Sequence, residues 1–221
     1  MSLSGSGDMK FTRGKANPNR EAFLSSMGME GRIYRGLELA HSRKVVFATS
    51  GAEPSEGKAD GLFCRDPLLC LGVTVADCMP IWFLDRASGC FGVLHSGWKG
   101  TGICLEALKA LEAMNGTKPE DVAFILGPCI GPCCYEVPPE RAAQFMDAFG
   151  AEAAESRDGR WFLDLCGANR KILGEAGVTD VLSVGACTAC DGRMGSFRRQ
   201  GQGKFIRMLA GIGSFFPLTD G

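Results

Sequence analysis

The sequence predicts one α/β domain in which mixed β-sheets are flanked by helices. Two observations carry this reading. Short runs rich in β-branched and aromatic residues are interspersed with amphipathic helical stretches, without a strict β-α-β alternation. The 221 residues also contain no internal repeat and no Pro- or Ser-rich linker that would divide them. Residues 11–221 are therefore expected to form a single domain. Residues 1–10 are expected to be a flexible N-terminal lead, because Met1-Ser-Leu-Ser-Gly-Ser-Gly7 is polar, small and of the kind left by cloning.

The elements follow in order. Asn17-Pro18 is set to cap a short helix over Glu21–Met27 that Gly28 stops. Strands are expected at Val45–Ala48, Leu71–Ala76, Ile81–Leu84, Cys90–Leu94 and Val122–Leu126. Ile103, Ala107, Leu108, Leu111 and Met114 share one face of a helix over 103–114. A second helix starts with Pro139 in its first turn and ends at Phe149, with Gly150 just beyond. A third is expected over Gly167–Ala176, followed by late strands at Val181–Ala186 and Phe205–Met208. Leu68–Leu84 is almost uncharged, but Gly72, Asp77 and Pro80 interrupt it. Two buried strands joined at Asp77-Cys78 fit it better than a membrane helix, which needs about 20 apolar residues.

Composition narrows the function. With 45% hydrophobic and 22% charged residues, the chain is expected to bury a full core. Basic and acidic residues balance at 24 against 25, which argues against a nucleic-acid or anionic-membrane partner. Eleven irregularly spaced cysteines without a secretory leader point to a reduced, cytoplasmic protein whose thiols mostly serve as small apolar side chains.

Only two histidines are present, and both fall at strand boundaries beside polar or glycine-bearing loops. His95 ends the run Cys90–Leu94 and opens His95-Ser-Gly-Trp-Lys-Gly-Thr101; His41 precedes Val45–Ala48. Cys78 sits beside Asp77 where the two buried strands meet. Two imidazoles and one thiolate brought together would make a three-ligand zinc site with an open fourth position, the catalytic pattern. The loop His95–Gly102 before a helix could also aim backbone N–H groups and Lys99 at an anion such as phosphate, with a plain tight turn as the competing reading. Its glycine spacing is neither that of a Walker A loop nor that of a dinucleotide fingerprint. Ser196-Phe-Arg-Arg199, followed by Gly203-Lys204 and Arg207, concentrates positive charge and is either a solvated basic loop or a second phosphate arm. Cys129, Cys133, Cys134, Cys187 and Cys190 could be imagined as a four-thiolate metal site. The C-x3-C-C spacing and the long gap before Cys187 depart from zinc ribbons, so this ranks below separate thiols.

These segments, in this order, resemble the laccase-domain, or multicopper polyphenol oxidoreductase, family, whose members are assigned purine nucleoside phosphorylase activity with adenosine deaminase side activity. The matching stretches are Thr74-Val-Ala-Asp-Cys-Met-Pro80, His95–Thr101, Gly127-Pro-Cys-Ile-Gly131 with Tyr135-Glu-Val137, Phe162-Leu-Asp-Leu165, and Cys187-Thr188 with Ser196–Arg199. The resemblance implies a zinc held by His41, Cys78 and His95, a purine nucleoside and inorganic phosphate as substrates, and Cys78, His95 and Asp77 as catalytic residues. Lys99, Gly100, Thr101, Tyr135 and Arg198 are then expected to bind phosphate or substrate, and Asp77, Tyr135 and Glu136 are alternative acids for the leaving base. Lys99 stands where the family usually has arginine, and only Thr12-Arg13-Gly14 remains of its usual N-terminal motif.

Two alternatives stand beside the phosphorylase. One is a Cys78–His95 hydrolase or deamidase, on a fold similar to the bacterial toxin deamidase-like cysteine hydrolases. The other is a peptidoglycan-precursor editing hydrolase, an assignment some relatives carry. A copper laccase is disfavoured: a multicopper centre needs many imidazoles, and copper would bind here only adventitiously.

Overall fold

The computed structural model describes residues 1–52 and 58–214. Among them, twelve strands form three sheets. The largest has six strands in the order β11 (Asp180–Ser183), β7 (Val122–Leu126), β5 (Met79–Asp85), β6 (Phe91–Ser96), β3 (Gly61–Cys64) and β2 (Val45–Phe47). It is mixed: the outer pairs β11–β7 and β2–β3 are parallel and the inner pairs antiparallel. A second sheet holds β1 (Ile33–Gly36), β4 (Leu69–Val75) and β12 (Met208–Gly213). The third is a small antiparallel set of β8 (Glu136–Val137), β10 (Arg160–Leu163) and β9 (Ala154–Arg157).

Alternating side chains bury the large sheet on both faces. Phe63, Ile81, Phe83, Leu94 and Phe124 pack in one core with α2 (Ile103–Asn115), α3 (Pro139–Phe149) and α4 (Leu165–Glu175). Leu62 and Val93, one residue away on their strands, pack in a second core with Leu69, Leu71, Val73 and Val75 of β4. The layers are therefore helices, large sheet, small sheet. The chain passes from the small sheet to the large one through Ala76-Asp77-Cys78, between two strands that belong to different sheets.

Helix ends follow local chemistry. Asn17 caps α1 (Pro18–Ser26) by accepting from the amides of Asn19 and Arg20, and Asp164 caps α4 by accepting from Gly167. Helix α3 has Pro139 in its first turn and Gly150 after its last, as the sequence predicts. Several elements differ from expectation. Strand β12 begins where the expected Phe205–Met208 strand ends, because Gly211 and Gly213 hide it from a pattern search. Strands β1 and β3, each containing a glycine, were likewise not expected. The β9–β10 hairpin was missed although Asp158-Gly159, both at positive φ, is a strong hairpin signal.

The expectation of a flexible lead over residues 1–10 is corrected. Ser2 and Met9 are buried; the Ser2 amide donates to the Leu209 carbonyl, and the Met9 amide donates to that of Arg207. Backbone pairing with the segment leading into β12 satisfies these amides, which a loose tail would leave to water. No helix among the described residues is long and apolar enough to cross a membrane.

Candidate metal centre and its cavity

Strand register assembles the site. Met79 pairs with Ser96, so Cys78 lies opposite Gly97; Gly61 pairs with Leu94, so Asp60 lies opposite His95. The ligand atoms of His41, Cys78 and His95 come within 4.8 Å of one another, with the two imidazoles edge to face at 5.0 Å. A side chain at 97 would collide with the sulfur: a Cβ there would sit 2.8 Å from Cys78 Sγ. Gly97 is what lets the thiol occupy this corner.

Asp60, which the sequence left unmarked, organises the centre. It is fully buried and hydrogen-bonds His95 Nδ1 at 2.9 Å. It also accepts from the amides of Ala40, His41 and Ser42 and from the Ser42 hydroxyl. One carboxylate thus orients the His95 ring, fixes the backbone that carries His41, and leaves His95 Nε2 as the ring nitrogen available to a metal. Burial works to raise the Asp60 pKa, but the bonds from His95 and Ser42 outweigh it and hold the carboxyl at about 2. Burial likewise opposes charge on Cys78 and His95. Their mutual attraction wins, taking the thiol down to about 6 and the imidazole up to about 9, with Asp60 helping the latter. Two non-glycine residues at the centre have positive φ: His41 at 56° and Asp77 at 83°. Such strain costs of order 1–3 kcal/mol and persists only where neighbours impose it. For Asp77 those neighbours are the Thr188 hydroxyl, 2.7 Å from Oδ1, and the Arg198 amide, 2.7 Å from Oδ2.

The three ligands line a cavity of about 700 Å³, large enough for a nucleoside with an anion beside it. Lys10, Lys58, Arg141, Arg198 and Arg207 bring positive charge to its wall; of these, Arg198 and Arg207 belong to the basic segment the sequence singles out. Thr12, in the shortened N-terminal segment, lines it too. Tyr135 also faces the cavity, where burial pushes its hydroxyl up to about 12.

Lys99, Gly100 and Thr101 do not line the cavity. Lys99 is exposed, with its Nζ 5.5 Å from the Trp98 ring centre. Gly100 and Thr101 are buried, and the Thr101 hydroxyl donates to the Gly97 carbonyl. The first amides of the following helix are taken as well: Gly102 donates to Asn169 Oδ1 and Ile103 to the Gly100 carbonyl. These bonds are those of the plain tight turn that competes with the anion-cradle reading, and they support Gly97. Glu136 lies outside the cavity and pairs with Arg160.

A second set meets the same closeness test. Cys133, Cys134, Cys187 and Cys190 bring their sulfurs within 4.8 Å of one another, whereas Cys129 is buried outside the set.

A profile of the family described as multi-copper polyphenol oxidoreductase laccase matches residues 6–214. The chain belongs to this laccase-domain family. It is 35% identical over 204 residues to a purine nucleoside phosphorylase of Deinococcus radiodurans, covering 92% of this chain and 78% of that one. The purine nucleoside phosphorylase YlmD of Geobacillus stearothermophilus is 33% identical over 70% of this chain and 59% of its own length. The human purine nucleoside phosphorylase LACC1 is 34% identical over 79% of this chain, which spans 41% of it. The crystal structure of Geobacillus stearothermophilus YlmD superposes with a TM-score of 0.84 at 28% identity, covering 93% of this chain and 84% of that one. The Bacillus licheniformis YfiH structure gives 0.81 at 27% identity, over 88% and 79%. The mixed α/β architecture is thus shared with solved members of the family.

Proposed function

We propose that the chain is a zinc-dependent purine nucleoside phosphorylase, with adenosine deamination as a side activity of the same site. The observation that carries this reading is the cavity in which a His-Cys-His corner faces a wall of basic side chains. The names of the relatives agree with it. Two nitrogens and one sulfur, backed by a buried carboxylate and open to the cavity, fit zinc in its catalytic form. His41, Cys78 and His95 would hold the metal, which supplies Lewis acidity to an oxygen bound beside it. One Cys and two His provide for a single ion, too few ligands for a multicopper centre, so copper would occupy this set only adventitiously.

The chain's own groups then divide the work. Arg141 orients phosphate for attack on the ribose C1′, while Arg198, whose guanidinium is held by the Cys134 and Glu136 carbonyls, adds positive charge to the same wall. The bond from C1′ to the purine nitrogen breaks as the new C–O bond forms. Tyr135 donates the proton that the departing base takes up. It lines the cavity and stays protonated at neutral pH, whereas both carboxylate oxygens of Asp77 are occupied by Thr188 and Arg198. Asp77 acts as a positioning residue, holding the strained turn that presents Cys78.

The test is release of hypoxanthine from inosine by the purified protein, with metal content measured on the same sample. Phosphate-dependent release with ribose 1-phosphate as co-product supports the proposal; no release, or release independent of phosphate, overturns it. One observation favours a second reading. Cys78, His95 and Asp60 form a thiolate–imidazolium–carboxylate series of the kind a cysteine hydrolase or deamidase uses. Zinc on the same sulfur would quench that nucleophile. A metal-free protein rapidly alkylated at Cys78 would favour the hydrolase.

A further inference from the structure

We propose that Cys133, Cys134, Cys187 and Cys190 form a second, structural metal site that holds zinc through four thiolates. The four sulfurs lie within 4.8 Å of one another, and Cys190 Sγ is 3.6 Å from that of Cys133 and 3.4 Å from that of Cys134. A tetrahedral zinc with bonds of about 2.3 Å to sulfur sets its ligands about 3.8 Å apart. A four-iron cluster would hold the sulfurs further apart, because each thiolate then binds a different iron.

Backbone structure brings two distant loops to this point. Cys129 and Cys187 form an isolated parallel bridge, and the Thr188 amide donates to the Cys129 carbonyl. Each loop then turns tightly: the Cys134 amide donates to the Gly131 carbonyl and the Cys190 amide to that of Cys187. The Gly131 amide also donates to Cys187 Sγ at 3.3 Å, the kind of N–H···S contact that orients a thiolate ligand. A Cβ at Gly131 would sit 3.3 Å from Cys133 Sγ and 3.4 Å from Cys187 Cβ, so glycine keeps the loops close.

Charge supplies an independent argument. Zinc with four thiolates carries a net charge of −2, which neighbouring cations stabilise. Arg157, Arg160, Arg198 and Arg199 outnumber Glu136 and Asp158 around the surface hollow that Cys133 and Cys134 line. The guanidinium of Arg198 donates to the Cys134 carbonyl, and that of Arg199 to the carbonyls of Thr188, Ala189 and Asp191, fixing both loops. Four protein ligands leave no open position, so the role is structural. Tyr135 follows Cys134, and Thr188, which grips Asp77, follows Cys187. The metal therefore fastens the wall from which Tyr135 reaches the cavity and Thr188 holds Asp77.

This proposal is independent of the phosphorylase reading, because its readout is metal content and spectrum. The full chain, purified under reducing conditions with zinc present, is expected to carry two zinc ions. Cys78→Ala should retain one, and Cys187→Ser with Cys190→Ser should also retain one, at the other site. Cobalt(II)-loaded Cys78→Ala, in which all four cluster cysteines are native, should give the intense sulfur-to-metal charge transfer and red d–d bands of a tetrahedral four-thiolate ion. Cys78→Ala that binds no metal, a disulfide at Cys190 under reducing conditions, or an iron chromophore in place of zinc would each overturn it.

Discussion

The two sulfur-bearing corners of this molecule use cysteine in opposite ways. At one, a single sulfur joins two imidazoles in a cavity, with Asp60 behind them aligning the His95 ring and holding the His41 backbone. At the other, four sulfurs meet at the surface among arginines, with two of the cysteines exposed. The first donor set is incomplete and faces a space that a substrate can enter; the second closes on itself. Coordination number, rather than metal identity, separates a centre that does chemistry from one that holds loops together. Their connection through Thr188, Asp77 and Arg198 means that damage to the second should loosen the first without removing it.

The sharpest way to break the comparison is to remove the sulfur that only the cavity centre owns. Cys78→Ala should reduce phosphorolysis to background and leave the chain folded, because the cavity replaces a lost contact with water and the two cores keep their residues. Circular dichroism with steady-state assays would check both halves. Substantial residual turnover would remove Cys78 from the machinery.

A smaller effect is expected behind the ligands. Asp60→Asn keeps the side chain's shape, but turns an acceptor of several N–H groups into a group with two donors of its own. Loss of such a supporting carboxylate weakens metal affinity or activity about 10–100-fold. Chelator competition should therefore show looser metal at the cavity centre and unchanged metal at the four thiolates. The same variant has a pH signature. The Asp60 carboxyl is held at about 2 against 3.8 for a free side chain. Its stabilisation of the fold is thus complete above pH 3.8 and is lost as pH falls towards 2. Thermal melts across that window should slope less steeply in Asp60→Asn than in the parent chain.

The three residues of the His-Cys-His corner were legible in the sequence for a physical reason. With only two histidines, any nitrogen-rich metal site must use both, and each stands at a strand boundary where glycine or polar residues open the backbone. Helix α3 was readable to the residue because Pro139 and Gly150 punctuate it. Asp60 was not, because the strand it precedes begins with glycine and lacks a periodic pattern; its neighbours became visible only through register with β6. The four-cysteine set was judged on sequence spacing, whereas its geometry comes from a bridge between residues 129 and 187 that no local pattern announces. The basic side chains of the cavity wall come from at least four separate segments, so no single motif could collect them.

The smallest expected effect tests the glycine loop, where sequence and geometry part. Lys99 and Arg141 both approach the Trp98 ring, at 5.5 and 4.8 Å, but only Arg141 and Trp98 line the cavity. An exposed ammonium outside the cavity has little to offer a bound anion, because water screens it. Lys99→Ala should therefore leave the KM for phosphate within about twofold of the parent, less than 0.5 kcal/mol. Arg141→Ala removes a charge-assisted donor from the wall, worth about 1.5–3 kcal/mol, and should raise that KM on the order of tenfold or more. The KM for inosine should move less, since the nucleoside carries no charge for the guanidinium to meet. If Lys99→Ala proves the more damaging, the turn after His95 is the phosphate cradle after all, and the basic wall opposite it serves another purpose.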